Sequence, residues 1–227
     1  MFLFVGHLSF NTKRQLLTKN YSDKMQIAKT PKIAKKAFPR LTWNADENEK
    51  AIYLTFDDGP TPEITIWILN QLEKYKAKAT FFCLGKNVVM YPKLLDYIIC
   101  EGHAVGNHTY NHLNAWKTEK EKYLSDIESC EKVFHSKLFR PPYGKLKPGI
   151  RTQILENHEI IMWDVMSYDF DNDMSEENCY QNVVKNAKEG SIIVFHDSIK
   201  ASRNMKVTLP KVLKYFAEKG FEFKALH

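Results

Sequence analysis

The sequence predicts an α/β protein with a mainly parallel sheet and helices packed outside it. Seven apolar or β-branched segments alternate with segments of helical periodicity over residues 51–227. The chain has 227 residues, which is enough for one well-buried core, and no internal repeat or low-complexity segment divides it. An open doubly wound sheet and a closed barrel both fit this alternation. Both place functional side chains at the carboxyl ends of the strands.

The first predicted strand is the most informative stretch of the chain. Residues 51–56 are continuously apolar, β-branched or aromatic, which is typical of a strand covered on both faces. Asp57 and Asp58 end it, and Gly59 and Pro60 turn the chain. Adjacent carboxylates at the end of a buried strand are electrostatically costly without a positive partner. A metal ion is the simplest such partner.

The remaining elements are assigned in chain order from their patterns. A helix begins at Thr61, Pro62 and Glu63, because Thr is a good N-cap, Pro suits the first turn and Glu favours the positive end of a helix. Later helices are predicted near residues 91–101, 118–134, 148–157, 175–189 and 209–219. The other strands are predicted at residues 78–84, 103–106, 137–140, 159–163, 191–196 and 221–225. No glycine-rich phosphate loop follows any of these strands, so nucleotide binding is not supported.

Residues 1–48 are expected to form a basic N-terminal arm, partly disordered, ahead of a single domain at residues 49–227. Residues 1–50 carry ten Lys/Arg and four Asp/Glu, whereas residues 51–227 carry 23 of each sign. The net charge of +6 therefore belongs to the arm, which argues against a nucleic-acid groove in the domain. A solvated arm is favoured over one that contacts an anionic membrane surface.

The start of the chain gives no convincing export signal, which favours the cytoplasm. The apolar stretch 2–10 is short, with no basic residue before it and no clear small-residue cleavage site after it. A secretory signal and a biological start at Met25 stay open as alternatives. No apolar run approaches the roughly 18–20 residues of a membrane span, and nothing indicates an oligomeric state. The four scattered cysteines form no CxxC pair, so buried free thiols are expected rather than a cysteine zinc site.

Two histidines four residues apart, His108 and His112, could supply metal ligands. On one helical turn this spacing places both imidazoles on the same face, a common way to present two nitrogens to zinc. Alone, the pair would more simply be two surface or hydrogen-bonded histidines. Together with Asp58 it gives three protein ligands and an open coordination position, which is the composition of a catalytic metal site.

Two further motifs follow predicted strands. In the stiff segment Arg140-Pro-Pro-Tyr-Gly144, a rigid turn with an exposed arginine competes with a functional interpretation. In the latter, Arg140 pairs with the aspartate that does not bind metal, and the loop aims a backbone N–H at a developing oxyanion. His196 ends the strand 191–196 and is either a core histidine or a proton donor facing the metal.

The order of TFDDGP, HTYNH, RPPYG, a Trp-Asp segment and a strand ending in His resembles the polysaccharide deacetylase family. The resemblance spans about residues 49–226. Members are metal-dependent carbohydrate esterases that remove N-acetyl, and sometimes O-acetyl, groups from chitin-like and peptidoglycan polymers. The resemblance implies a distorted (β/α) barrel of about seven parallel strands, with residues 49–227 as the catalytic domain. It also implies a location in the cell envelope or periplasm.

The implied reaction removes N-acetyl groups from N-acetylglucosamine-containing glycans, with a metal-bound water as nucleophile and an acetylated amino-sugar polymer or oligomer as partner. The implied cofactor is a divalent metal, usually zinc, with cobalt or another ion as alternatives. Its ligands would be Asp58, His108 and His112. Asp57 would be the general base, tethered by Arg140. The Tyr143 backbone N–H would contribute to the oxyanion hole, and His196 would be the general acid.

The Trp-Asp segment departs from the family pattern. Met166 stands where the family has the aspartate that orients the acid histidine, and Phe170 where it has a tryptophan. The partner of His196 is therefore left open among Asp164, Asp169 and a backbone carbonyl. We expect activity because the metal ligands, base and acid are all present. A catalytically weakened metal- or glycan-binding module, and an amidase acting on a non-sugar amide, are the alternatives.

Overall fold

The computed structural model describes residues 27–227. The expectations for the export signal and the start site concern residues outside this range. The described part of the chain contains these strands: β1 (Ala51–Asp57), β2 (Thr80–Cys83), β3 (Ala104–Asn107), β4 (Leu138–Phe139), β5 (Glu159–Ile160), β6 (Val165–Met166), β7 (Ile192–His196) and β8 (Glu222–Phe223). Its helices are α1 (Lys32–Ala37), α2 (Pro62–Glu73), α3 (Gly85–Met90), α4 (Pro92–Cys100), α5 (Lys120–Glu131), α6 (Pro148–Ile154), α7 (Glu176–Val184) and α8 (Ser202–Glu218).

The strands form a curled parallel half-barrel, which confirms the predicted α/β class. The order is β5-β4-β3-β2-β1-β7-β6, and β8 pairs with the start of β1. Each of these strand pairs is parallel. The predicted barrel stays open because its end strands, β5 and β6, are only two residues long and do not pair with each other within the described chain.

Strand β1 lies in the middle of the sheet and is buried at every position, as its apolar run predicts. Its side chains alternate between two layers. Ile52, Leu54 and Phe56 pack into the large cluster formed with the surrounding helices. Tyr53 lies in a smaller cluster on the inner side of the half-barrel. Asp57 falls in the same alternation as Tyr53, so the strand directs this carboxylate inwards.

Four elements differ from the sequence-based prediction. Strand β6 and the helices α1 and α3 were not predicted, and α8 begins at Ser202 rather than near residue 209. Strand β6 is two residues long, which is too short to show the alternation of apolar and polar residues that predicts a strand. Helix α8 continues through Pro210, a residue that usually marks a boundary. None of the helices within residues 27–227 combines the length and the apolar character that crossing a bilayer requires.

The described part of the N-terminal arm packs against the open side of the half-barrel instead of being only solvated. Its backbone bridges the two end strands. Thr42 N–H donates to the Ile160 carbonyl at 3.0 Å beside β5, and Met166 N–H of β6 donates to the Ala28 carbonyl at 2.8 Å. Residues 27–48 thus cover edges that would otherwise expose unpaired backbone groups.

The arm is also held by a buried carboxylate. Asp164 is fully buried, and its oxygens lie 2.7 Å from Lys29 Nζ and 2.5 Å from Lys35 Nζ. Ser191 Oγ donates to the same carboxylate at 2.6 Å. The basic residues of the arm therefore have a specific partner in the domain.

We predict that Asp164→Ala destabilises the protein by about 2–4 kcal/mol, because removing one member of a buried ion pair leaves its partners uncompensated. The expected loss of stability is smaller than for a fully buried ion pair because the two lysine side chains stay 35% and 21% exposed. Urea unfolding of the full chain measures the effect. Asp96→Ala, at an exposed position on α4, is the matched control and should change stability by less than about 0.5 kcal/mol. An unchanged midpoint for Asp164→Ala would contradict the anchoring role.

Candidate active site

The unusual polar residues predicted from the sequence meet at the carboxyl ends of β1, β3 and β7 and in the loop after β4. They line a cavity of about 570 Å³. This is the position expected for a parallel α/β sheet. Asp57, Asp58, His108, His112, Tyr143 and His196 all contribute to its wall.

Arg140 is fully buried directly behind this wall, so the alternative of an exposed turn arginine is wrong. Its Nη1 donates to Asp57 Oδ1 at 2.8 Å and to Thr55 Oγ1 at 2.6 Å. Its Nη2 donates to the Met162 carbonyl at 2.9 Å. The ring of Phe82 lies under the guanidinium, 4.0 Å from Cζ. A buried cation with this many partners fixes the orientation of the Asp57 carboxylate.

Asp58 leaves the strand alternation because its backbone adopts the left-handed conformation, with φ of 82°. Its Oδ1 lies 3.1 Å from His112 Nε2 and 3.7 Å from His108 Nε2. This oxygen is buried, and no donor within residues 27–227 is aligned to hydrogen-bond to it. The three donor atoms lie within 4.8 Å of one another. A carboxylate and two imidazoles that converge without bonding to each other fit a divalent metal ion.

The protonation state of His108 also fits a metal ligand. Its Nδ1 lies 2.8 Å from the Arg140 carbonyl, which can only accept, so Nδ1 carries the proton. Burial lowers the pKa of His108 to about 4. Its Nε2 is therefore free at neutral pH, and a backbone carbonyl orients the ring.

The two histidines are held by an irregular loop, so the predicted helical turn is wrong. Thr109 and His112 have φ of 66° and 63°, which no α-helix contains. Asn107 Oδ1 accepts the Thr109 N–H at 2.8 Å, and Thr109 Oγ1 accepts the His112 N–H at 3.0 Å. Asp126 of α5 accepts the Tyr110 N–H at 3.1 Å.

Asp126 was missed by the sequence reasoning. It is a buried carboxylate within the apolar face of α5, beside Tyr123 and Ile127. That position could have indicated a partner for loop backbone groups, because a buried carboxylate needs hydrogen-bond donors.

Asp169 is the partner of His196, which answers the question left open by Met166. Asp169 Oδ1 lies 2.8 Å from His196 Nδ1, and Oδ2 accepts the His196 N–H at 2.8 Å. Asp164 is instead engaged with the arm. Burial opposes the charge on His196, but the ion pair with Asp169 prevails and raises the pKa of His196 to about 9. The ring of Phe170 lies edge-on to His196, with 4.9 Å between centroids.

Tyr143 lies beside the histidine pair. Its backbone is left-handed, with φ of 61°, and its ring centroid is 4.6 Å from that of His112. Its N–H has no acceptor among the described residues. A non-glycine residue in this conformation is a local strain of the kind found at functional sites.

Asp197 is a buried carboxyl that the sequence reasoning also missed. Its Oδ2 accepts a hydrogen bond from Thr65 Oγ1 at 2.7 Å. A Cβ at Gly59 would lie 1.8 Å from the same oxygen, so only glycine fits after the two aspartates. Burial raises the pKa of Asp197 to about 7.

This fold and this arrangement of residues define a carbohydrate deacetylase, and comparison with known proteins agrees. Residues 44–161 match the family model described as polysaccharide deacetylase. The chain belongs to the polysaccharide deacetylase family, whose members are metal-dependent carbohydrate esterases.

Three relatives illustrate the similarity. A peptidoglycan-N-acetylglucosamine deacetylase of Bacillus cereus is 36% identical over 190 residues, which cover 81% of this chain and 89% of the relative. A chitooligosaccharide deacetylase of Azorhizobium caulinodans is 34% identical over 159 residues, covering 66% of this chain and 75% of the relative. The crystal structure of the Bc1960 peptidoglycan N-acetylglucosamine deacetylase superposes with a TM-score of 0.79 at 31% identity, covering 87% of this chain and 95% of that structure.

We predict that Asp169→Asn lowers the pKa of His196 from its value of about 9. Burial, which lowers this pKa, is then opposed only by the weaker attraction of Asp58 and Asp57. In the parent protein the ion pair contributes fully to stability below about pH 6.5, and the contribution is lost as the pH rises through about 9. An NMR titration of the imidazole in metal-free protein measures the shift. Asp173→Asn, on the neighbouring exposed loop, should leave the pKa of His196 in place. A pKa that stays near 9 in Asp169→Asn would refute the pairing.

Proposed function

We propose that the protein is a metal-dependent hydrolase that removes N-acetyl groups from N-acetylglucosamine-containing glycans. The observation that carries the proposal is the convergence, in one cavity, of three groups with different charges. These are a set of metal-ligating atoms, a carboxylate held by a buried arginine, and a histidine charged by its own carboxylate. The relatives named above, which are deacetylases of peptidoglycan or chitooligosaccharides, support the substrate class.

Asp58, His108 and His112 would hold the metal, with zinc or cobalt as the candidate ions. Bound there, a divalent ion supplies a Lewis acid that polarises the acetamide carbonyl and lowers the pKa of water. Side chains near Asp58 favour the ionised form that binds a metal. Burial opposes ionisation of Asp58, but the pKa of this carboxyl is held below its ordinary value by His112, His196 and His108. A carboxylate ligand is thus available at neutral pH.

Asp57 would act as the general base. Arg140 occupies its Oδ1, which leaves the second carboxylate oxygen to accept the proton of the attacking water. As the water oxygen bonds to the acetamide carbon, negative charge develops on the carbonyl oxygen. The unpaired N–H of Tyr143 would donate to that oxygen.

His196 would complete the reaction as the general acid. Asp169 accepts from Nδ1, so the proton that can be transferred is on Nε2. Its raised pKa keeps the imidazole protonated at neutral pH. As the carbon–nitrogen bond breaks, His196 donates to the departing amine of the sugar. The products are acetate and a glucosamine-type residue.

Met166 is the feature that favours the binding-module alternative, because it replaces the aspartate expected to orient His196. This argument is weaker because Asp169 pairs with His196. Met166 lines the cavity without removing a charged group from the proposed machinery. The relatives named above are deacetylases of peptidoglycan and chitooligosaccharides, which favours an acetylated amino sugar over a non-sugar amide.

We predict that two substitutions differ in their effect on metal binding. Asp57→Asn should keep the metal and reduce kcat on N-acetylglucosamine oligomers by about 10²–10⁴, the usual contribution of a general base. His112→Ala should lose the metal, because two ligands remain. Acetate release and metal content by elemental analysis separate the two effects. Near-full activity in Asp57→Asn would show that another group is the base. Asp96→Asn, at an exposed position on α4, is the control and should leave both acetate release and metal content unchanged.

We predict that chelation abolishes acetate release and that added zinc or cobalt restores it. The reason is that three protein ligands leave one coordination position of the metal open for water or substrate. The measurement is acetate produced from short chitin oligomers before and after metal is returned. Metal that rebinds without any acetate release on N- or O-acetylated glycans would favour a binding module instead.

A further inference from the structure

The active-site cavity shares lining residues with a second cavity of about 470 Å³. Asp58 and His112 line both cavities, and so do Ser198 and Lys200. The two spaces are therefore adjacent, with the proposed metal ligands Asp58 and His112 at their border, and together they are called the groove below. A groove that extends to both sides of the reacting group suits a strand of several sugars rather than a single one.

Lysines dominate the charge along this groove. Lys145 lines the first cavity, Lys86 lines the second, and Lys200 lines both. None of the three forms an ion pair with a carboxylate within residues 27–227. In that range the carboxylates lining the groove are Asp57 and Asp58. One is neutralised by Arg140 and the other belongs to the metal-ligating set, so the remaining charge of the groove is positive.

Two of these lysines are positioned by aromatic rings. Lys145 Nζ lies 5.0 Å from the centroid of the Trp116 ring, and Lys200 Nζ lies 5.5 Å from that of Phe170. A ring face attracts an ammonium group without accepting its N–H groups in the way a carboxylate does. The lysines are thus restricted in position while their donors stay available, which reduces the entropy lost when an anion binds.

Resting on the deacetylase function proposed above, we infer that the groove selects glycan strands that carry carboxylates over neutral strands of the same sugars. The lactyl ethers and attached peptides of peptidoglycan supply such carboxylates, and chitin-type strands do not. Lys86, Lys145 and Lys200 would pair with carboxylates on sugars flanking the one that reacts. Each exposed pair of this kind contributes about twofold to fivefold to affinity at low salt.

The test compares two ligands that differ only in charge. One is a peptidoglycan glycan strand with free carboxyl groups, and the other is the same strand with those groups converted to methyl amides. Binding is measured by fluorescence anisotropy with the full chain carrying zinc and the Asp57→Asn substitution, which slows turnover. The affinities are measured at about 0.01 M and about 1 M salt, where Debye lengths are about 30 Å and 3 Å.

We expect the charged strand to bind at least about fivefold more tightly at low salt, and the difference to disappear at high salt. Adding Lys145→Gln and Lys200→Gln should reduce the low-salt preference by about fourfold or more. Lys211→Gln, at an exposed position on α8 outside the groove, should leave it unchanged. Equal affinities for the two strands overturn the inference, and so does a preference that the double substitution leaves intact.

Acetate release by the zinc-loaded parent protein separates this inference from the proposed function. A preference for the charged strand without acetate from any strand would overturn the deacetylase proposal and leave the preference of the positively charged groove for carboxylate-bearing strands supported. Acetate release together with equal affinities for the two strands would support the deacetylase proposal and overturn the inferred preference.

Discussion

The structure depends on one buried cation, the guanidinium of Arg140. Moving such a group out of water costs several kcal/mol, and the cost is offset only when every donor finds a partner. Here the partners come from different parts of the half-barrel. They are Thr55 and Asp57 on β1 and the carbonyl groups that follow β5. The carbonyl of Arg140 itself orients His108. One residue therefore couples the proposed base, a proposed metal ligand and the segment that follows β5.

Three aspartates near the cavity have different charge partners, and this separates their chemistry. Asp57 is paired with a permanent cation, Asp58 faces two imidazoles, and Asp169 is paired with a histidine that it helps to protonate. Three carboxylates without such partners would repel one another in one low-dielectric space. Neighbours of different kinds let one site hold a base, a metal ligand and an acid at the same pH.

The sequence predicted those features that have a local cause. The central strand β1 and the meeting of Asp57, Asp58 and His196 at strand ends follow from a continuous apolar run and from the geometry of parallel sheets. The conformation of the His108 to His112 loop could not be predicted, because it depends on left-handed residues and on side chains that are distant in sequence. The docking of the arm likewise depends on contacts across more than a hundred residues, such as Lys29 with Asp164.

The choice between Asp164 and Asp169 shows how the short strand β6 organises this side of the molecule. The two carboxylates flank β6, and the strand separates their roles. Before β6, Asp164 binds the lysines of the arm, which covers the open edge. After β6, Tyr168 adopts a left-handed conformation with φ of 62°, and Asp169 accepts both the ring and the backbone N–H of His196. A carboxylate at position 166 is therefore unnecessary. Met166 can supply apolar surface to the cavity because the charge that His196 requires arrives from the turn three residues later.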